Sequence, residues 1–200
     1  MSDGPERLIV FTRYPEPGTT KTRLIPVLGP EGAAELQRRM TLQAAQAAEQ
    51  ARRDRPLTVE IRYEGGSATR MQAWLGAGFS YRPQGDGDIG RRMAQGLAQA
   101  FEEGCRRAVI IGSDIPGISS ALIAEAFDRL CRHDLVFGPA ADGGYYLIGG
   151  NAACFRHGAP YLGAGIGWGT AGVLDQTLDI LRAMGLSHAL LAPLTDVDRP

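Results

Sequence analysis

The sequence predicts an α/β fold on a largely parallel sheet, and three observations carry that prediction. Short apolar runs at 8–11, 57–63, 108–111 and 135–137 read as strands, and continuous ones such as Ala108-Val109-Ile110-Ile111 suit burial on both faces. Helical stretches alternate with them, the pattern of crossover connections between parallel strands. Polar residues and glycines come directly after the runs, where an open parallel sheet gathers its ligands. With no internal repeat, low-complexity tract or linker, 1–200 reads as a single domain.

Each element has its own signal. Leu8-Ile9-Val10-Phe11 is the first strand, followed by the Pro/Gly loop Tyr14-Pro15-Glu16-Pro17-Gly18-Thr19-Thr20. Residues 31–52 are rich in Ala, Leu, Gln, Glu and Arg and form a long helix. In the second strand Val59 and Ile61 alternate with Glu60 and Arg62. Ser67 caps a helix through Trp74 and Leu75, and Phe79-Ser80-Tyr81 is a short strand. A Gly/Asp loop at 84–90 leads into a helix over 91–103. Ser119 or Ser120 caps the helix that runs to about Cys131, with Leu122, Ala126 and Leu130 at helical spacing. Leu135-Val136-Phe137 and Tyr145-Tyr146-Leu147-Ile148 are strands, glycines at 163–172 mark a loop around Trp168, and a helix over 171–184 precedes a last strand at 189–191.

Bulk properties narrow the function. A hydrophobic fraction of 44% supports a real core, and a net charge of −1 gives no electrostatic case for nucleic acid or an acidic membrane. The three cysteines, Cys105, Cys131 and Cys154, lack paired spacing, which argues against a disulfide framework or zinc site and for a reducing compartment. No apolar run approaches the length of a membrane span, and the polar N-terminus has no apolar h-region, so a cytoplasmic protein is expected. Nothing fixes the oligomeric state, and a homodimer stays open.

The residues behind each apolar run carry the chemistry. The first strand is followed by Arg13, Lys21 and Arg23, the fourth by Asp114, the fifth by Asp142 and the last by Asp196 and Asp198. Cations offset phosphate charge and carboxylates hold magnesium or manganese, so the set suits a polyphosphate with a divalent metal. Gly18-Thr19-Thr20-Lys21-Thr22-Arg23 lacks the glycine a Walker A loop needs before lysine, yet a Gly-bearing basic loop can still wrap phosphate. The plainer reading is a solvated turn. Pro116 ends the fourth strand, leaving Asp114 at its tip as a metal ligand or a turn cap. Asp142-Gly143-Gly144 reads both as a β-turn and as a site of close backbone approach. Asp88 is a natural N-cap, and with Gly90 in the same loop it is also a candidate reader of base or ribose. Asp196 and Asp198 flank Val197 and share one face of an extended segment, or belong to a polar tail.

Taken in order, seven segments resemble one family. They are 11–18, Lys21-Thr22-Arg23-Leu24, 87–93, Gly112-Ser113-Asp114-Ile115-Pro116-Gly117, 138–149, Trp168-Gly169-Thr170 and Asp196-Val197-Asp198. The family is the radical-SAM/selenodomain-associated transferases, described as glycosyltransferases of the nucleotide-diphospho-sugar transferase fold. The resemblance implies a GT-A-like three-layer α/β/α sandwich, with nucleotide held by the first loop and metal by the acid after the fourth strand. The opening loop is also similar to that of 2-phospholactate guanylyltransferases. Arg199 stands where the family has threonine, which makes Asp196 the firmer of the two C-terminal acids.

Three functions are consistent with these residues. In a glycosyltransferase, Arg13, Gly18, Lys21 and Arg23 would hold the diphosphate, with Asp114 and Asp196 or Asp198 on a magnesium or manganese ion. Asp142 would act as base toward an acceptor seated near Gly143, Gly144, Tyr145 and Trp168. In a nucleotidyltransferase, Lys21 or Arg23 would stabilise the α-phosphate in the transition state. The third function is non-catalytic nucleotide binding.

Overall fold

The structure is a computed structural model describing residues 5–155, 159–163 and 165–195. Strand β1 (Glu6–Arg13) leads through a short 3-10 turn (Thr22–Leu24) into helix α1 (Ile25–Asp54). Then come β2 (Leu57–Glu64), α2 (Ala68–Leu75), β3 (Ser80–Pro83), α3 (Ile89–Glu102), β4 (Arg107–Gly112) and α4 (Ser120–Arg129). The chain continues with β5 (Leu135–Pro139), β6 (Tyr145–Asn151), 3-10 turns at Ala152–Phe155 and Pro160–Leu162, α5 (Val173–Met184) and β7 (His188–Leu190).

Among the described residues the strands form one seven-stranded sheet in the order β3-β2-β1-β4-β6-β5-β7. Among the described strands only β6 runs antiparallel to its neighbours, because the tight Asp142-Gly143 turn sends the chain straight back from β5. Side-chain alternation divides the core in two. Leu8 and Val10 of β1 pack with α1, α2 and α4 on one face, while Ile9 and Phe11 pack with α3 and α5 on the other. The expected three-layer sandwich is therefore observed.

Local chemistry explains the helix starts. Ser67, Asp88 and Ser119 each accept a hydrogen bond from the backbone N–H three residues on, worth about 1 kcal/mol apiece. Helix α1 begins earlier than 31 because the chain turns helical at Ile25, with Pro26 in its first turn, and then kinks at Gly29 (φ 70°) ahead of Pro30. Glu60 and Arg62, which alternate with the apolar residues of β2, form a buried pair. They are 1% and 4% exposed, and Arg62 Nε donates to Glu60 Oε1 at 2.5 Å. The helix α3 covers that face, and Arg62 Nη2 also donates to Gln99 Oε1 of α3 at 2.5 Å. At the amino end of the interior strand β1, buried Glu6 is paired with Arg55 and Arg107, as a buried charge requires.

Candidate functional site

The carboxyl ends of β1 and β4 open onto a cavity of about 470 Å³. A buried hydroxyl–amide cluster builds its floor. Gln37 of α1 reaches Thr41 (3.1 Å), Ser113 (3.1 Å) and Thr12 (3.3 Å) through Nε2. Thr12 also bonds Thr41 at 2.7 Å and accepts from Ser113 at 3.0 Å. This cluster ties α1 to the tips of β1 and β4 and so fixes the backbone that carries Arg13 and Asp114.

The loop after β1 folds on itself. Thr20 Oγ1 donates to Tyr14 O at 3.0 Å, and Arg13 Nη1 donates to Thr19 O at 3.1 Å. Lys21 is the sole non-glycine residue with positive φ among the described residues (φ 47°). Such a conformation in a non-glycine residue signals a locally over-determined site. Its side chain is 3% exposed, and its Nζ lies 3.2 Å from Asp114 Oδ1. Asp114 itself is 51% exposed at the tip of β4. Arg23 is exposed on the same wall.

The opposite wall contains residues that the strand-end reasoning passed over. Glu64 ends β2, Gln84 lies just beyond β3 and Arg92 sits in the first turn of α3; all three line the cavity. Glu64 binds Arg13 at 2.8 Å and Arg92 at 3.2 Å. The hydrogen bond from Arg13, foremost, holds the Glu64 carboxyl below its usual range. Buried Gln84 donates from Nε2 to Thr12 O at 2.9 Å. The same strand-end rule that found Asp114 would have found Glu64 and Gln84 had it been applied to β2 and β3.

Asp142, Gly144, Tyr145 and Trp168 gather around a second cavity of about 140 Å³ with Ile89, Met93 and Val173. Helix α3 partitions the two spaces through one turn: Arg92 faces the larger cavity, Met93 the smaller, and Ile89 lines both. Asp142 Oδ1 accepts from Gly144 N at 2.9 Å and so shapes the turn. Burial pushes the Tyr145 hydroxyl well above the ordinary phenol range.

Two predicted site glycines are packed tightly. A Cβ on Gly90 would lie 2.2 Å from Trp168 Cζ2, so this glycine makes room for the indole. A Cβ on Gly143 would lie 1.9 Å from Ala171 O, and Gly143 O accepts from Leu174 N at 3.0 Å, joining the β5–β6 turn to α5. Asp88, exposed ahead of α3, is engaged as its N-cap. Gly18 turns the basic loop at φ 81°. Asp196 and Asp198 lie outside the described residues. Among the described residues, no group of three or more His, Cys, Asp or Glu side chains converges as a metal site. None of the described helices is long and apolar enough to cross a membrane.

The fold is a mixed α/β sheet whose carboxyl edge gathers cations and Asp114 around one cavity. The chain belongs to the family described as "Uncharacterized protein conserved in bacteria (DUF2064)", whose profile matches residues 44–170. It is 35% identical to a "putative nucleotide-diphospho-sugar transferase" from Desulfovibrio desulfuricans G20, covering 100% of this chain and 84% of that one with a TM-score of 0.89. Two more distant structures share the fold. A nucleotidyl transferase from Methanothermobacter thermautotroptrophicus is 16% identical, with coverage of 96% and 88% and a TM-score of 0.61. The Rv0371c complex with manganese from Mycobacterium tuberculosis H37Rv is 14% identical, with coverage of 98% and 92% and a TM-score of 0.54. No curated protein sequence matches the chain. The expectation of a transferase agrees with these relatives.

Proposed function

We propose that this protein moves a sugar from a nucleotide-diphospho-sugar to an acceptor hydroxyl, holding the donor in the larger cavity. One observation carries the reading: Arg13, Lys21 and Arg23 line a single cavity together with Asp114. Such a set offsets the charge of a diphosphate through charge-assisted hydrogen bonds.

A divalent cation fits this donor set. Asp114 presents hard oxygens at an exposed strand tip, and magnesium or manganese is commonly held by one or two carboxylates plus substrate phosphates. Asp196 or Asp198 is the candidate second ligand. When bound, the ion stabilises charge developing on the departing nucleotide.

The residues of the chain do the remaining work. Lys21, held against Asp114 by the loop, exchanges that carboxylate for the diphosphate when the donor enters. Arg13 and Arg23 clamp the phosphates, and Gly18 lets the loop backbone turn beside them. Glu64, Gln84 and Arg92 face the nucleoside. Asp142, across the first turn of α3, accepts the proton of the acceptor hydroxyl in an inverting reaction. Gly143, Gly144, Tyr145 and Trp168 shape the acceptor side. The free cysteines among the described residues suit a reducing, cytoplasmic setting.

Product analysis tests the reaction. Incubation with nucleotide sugars, candidate acceptors and Mn²⁺ is expected to release nucleoside diphosphate. Pyrophosphate release from a nucleoside triphosphate would instead establish nucleotidyl transfer. Metal-dependent nucleotide binding without either product would leave a nucleotide-binding protein.

A further inference from the structure

We infer that the smaller cavity selects an uncharged hydroxyl acceptor that presents a C–H face, such as a sugar or other polyol, over its phosphorylated counterpart. The inference rests on the donor reading above and deepens it by naming the acceptor class.

The cavity walls are Ile89, Met93, Tyr145, Trp168 and Val173, with Asp142 and Thr170 as polar members. Apolar and aromatic walls stabilise C–H surface removed from water. The Trp168 indole is held in place by close fit, since a Cβ on Gly90 would meet its Cζ2 at 2.2 Å and its Cε2 at 2.4 Å. Its ring also lies edge-to-face with Tyr145, at a centroid distance of 6.3 Å. The Trp168 Nε1 is buried and has no hydrogen-bond partner among the described residues. Native interiors seldom keep such an orphaned donor.

Charge placement sets the selectivity. The single turn of α3 aims Arg92 into the larger cavity and Met93 into the smaller one. The charged member of the smaller cavity is the carboxylate of Asp142. A phosphorylated acceptor would therefore meet like charge while the cations of the neighbouring space stay with the donor, and like-charge juxtaposition disfavours the wrong partner. A neutral hydroxyl meets no such penalty and gives Asp142 a proton to accept.

The two tryptophans make a direct test. Trp74→Phe keeps an aromatic ring against Tyr14 and leaves Trp168 as the sole indole. Its fluorescence is titrated with matched pairs of sugars or polyols and their phosphate monoesters, with and without a nucleoside diphosphate and Mn²⁺. The neutral member is expected to perturb Trp168 at about tenfold lower concentration than its phosphate, and Asp142→Asn, which keeps the oxygen that accepts from Gly144, is expected to narrow that ratio. Phosphates that bind as tightly as their neutral partners would overturn the inference, and so would a panel that leaves Trp168 unperturbed. Nucleoside diphosphate binding, followed by thermal shift in the same protein, is scored separately. If the nucleotide binds and the neutral preference is missing, this inference alone fails. If the neutral preference is present without nucleotide binding, the donor reading fails.

Discussion

Gly143→Ala is expected to destabilise the protein clearly more than Gly18→Ala, although both glycines sit at positive φ (88° and 81°). An L-residue with left-handed backbone loses about 1–2 kcal/mol, which sets the whole effect at Gly18, where an added Cβ meets nothing within 4 Å. At Gly143 the Cβ would lie 1.9 Å from Ala171 O and 2.5 Å from Ala171 C. Those atoms are backbone and cannot rotate away, so an overpacking cost of about 1–3 kcal/mol is added. Movement is further opposed because Leu174 N donates to Gly143 O at 3.0 Å, joining the turn to the start of α5. A domain of this size shifts its melting temperature by about 2–4 °C per kcal/mol, so the two variants should differ by roughly 2–12 °C. Urea unfolding of the ligand-free proteins should show the same order at unchanged slope. Equal destabilisation of the two variants would refute the claim that Gly143 is fixed by contact with the segment before α5.

The same contacts set other expectations. Gln37→Leu removes the amide shared by Thr12, Thr41 and Ser113, and should cost about 1–3 kcal/mol in urea unfolding because buried hydroxyls lose a partner. Glu64 has a folded pKa depressed by Arg13. Its contribution is therefore present above the unfolded value of about 4.3 and disappears as pH falls through the lower folded value. With Glu64 40% and Arg13 44% exposed, Glu64→Gln should lower stability at pH 7 by less than about 1 kcal/mol, and by nothing at strongly acidic pH. A thiol reagent should modify Cys131 alone in the native protein, because Cys105 and Cys154 are buried and burial raises their thiol pKa. Unfolding should expose all three cysteines.

The architecture was legible wherever local chemistry dominates. Ala108–Ile111 announces β4 because a strand between two helical layers needs apolar side chains on both faces. Ser67 and Ser119 announce their helices because a capping hydroxyl lies three residues from the N–H it serves. The Asp142-Gly143 turn likewise foretells the reversal into β6. Features that depend on distant contacts were hidden from the sequence. Gly90 looked like part of a ligand-facing loop, whereas its missing side chain accommodates Trp168 from a far segment. Glu60 and Arg62 alternate with apolar residues in β2, and only the position of α3 reveals that they are buried as a pair. At the site, Arg13, Lys21, Arg23 and Asp114 stand out because each lies just beyond the end of an apolar run, and they share one cavity. Asp142 stands out for the same reason but borders the neighbouring space. That division could not be read without the position of α3.

The central claim is that Asp114 and the basic loop bind a nucleoside diphosphate together with a divalent cation. It is tested most directly by thermal shift of the wild type and Asp114→Asn across nucleoside diphosphates and their sugars, with and without Mn²⁺. At 100 times the dissociation constant a ligand adds about 2.7 kcal/mol, or roughly 5–11 °C for a domain of this size. The account predicts that shift in the wild type only with metal present, and its loss in Asp114→Asn. An equal, metal-dependent shift in both proteins would contradict it.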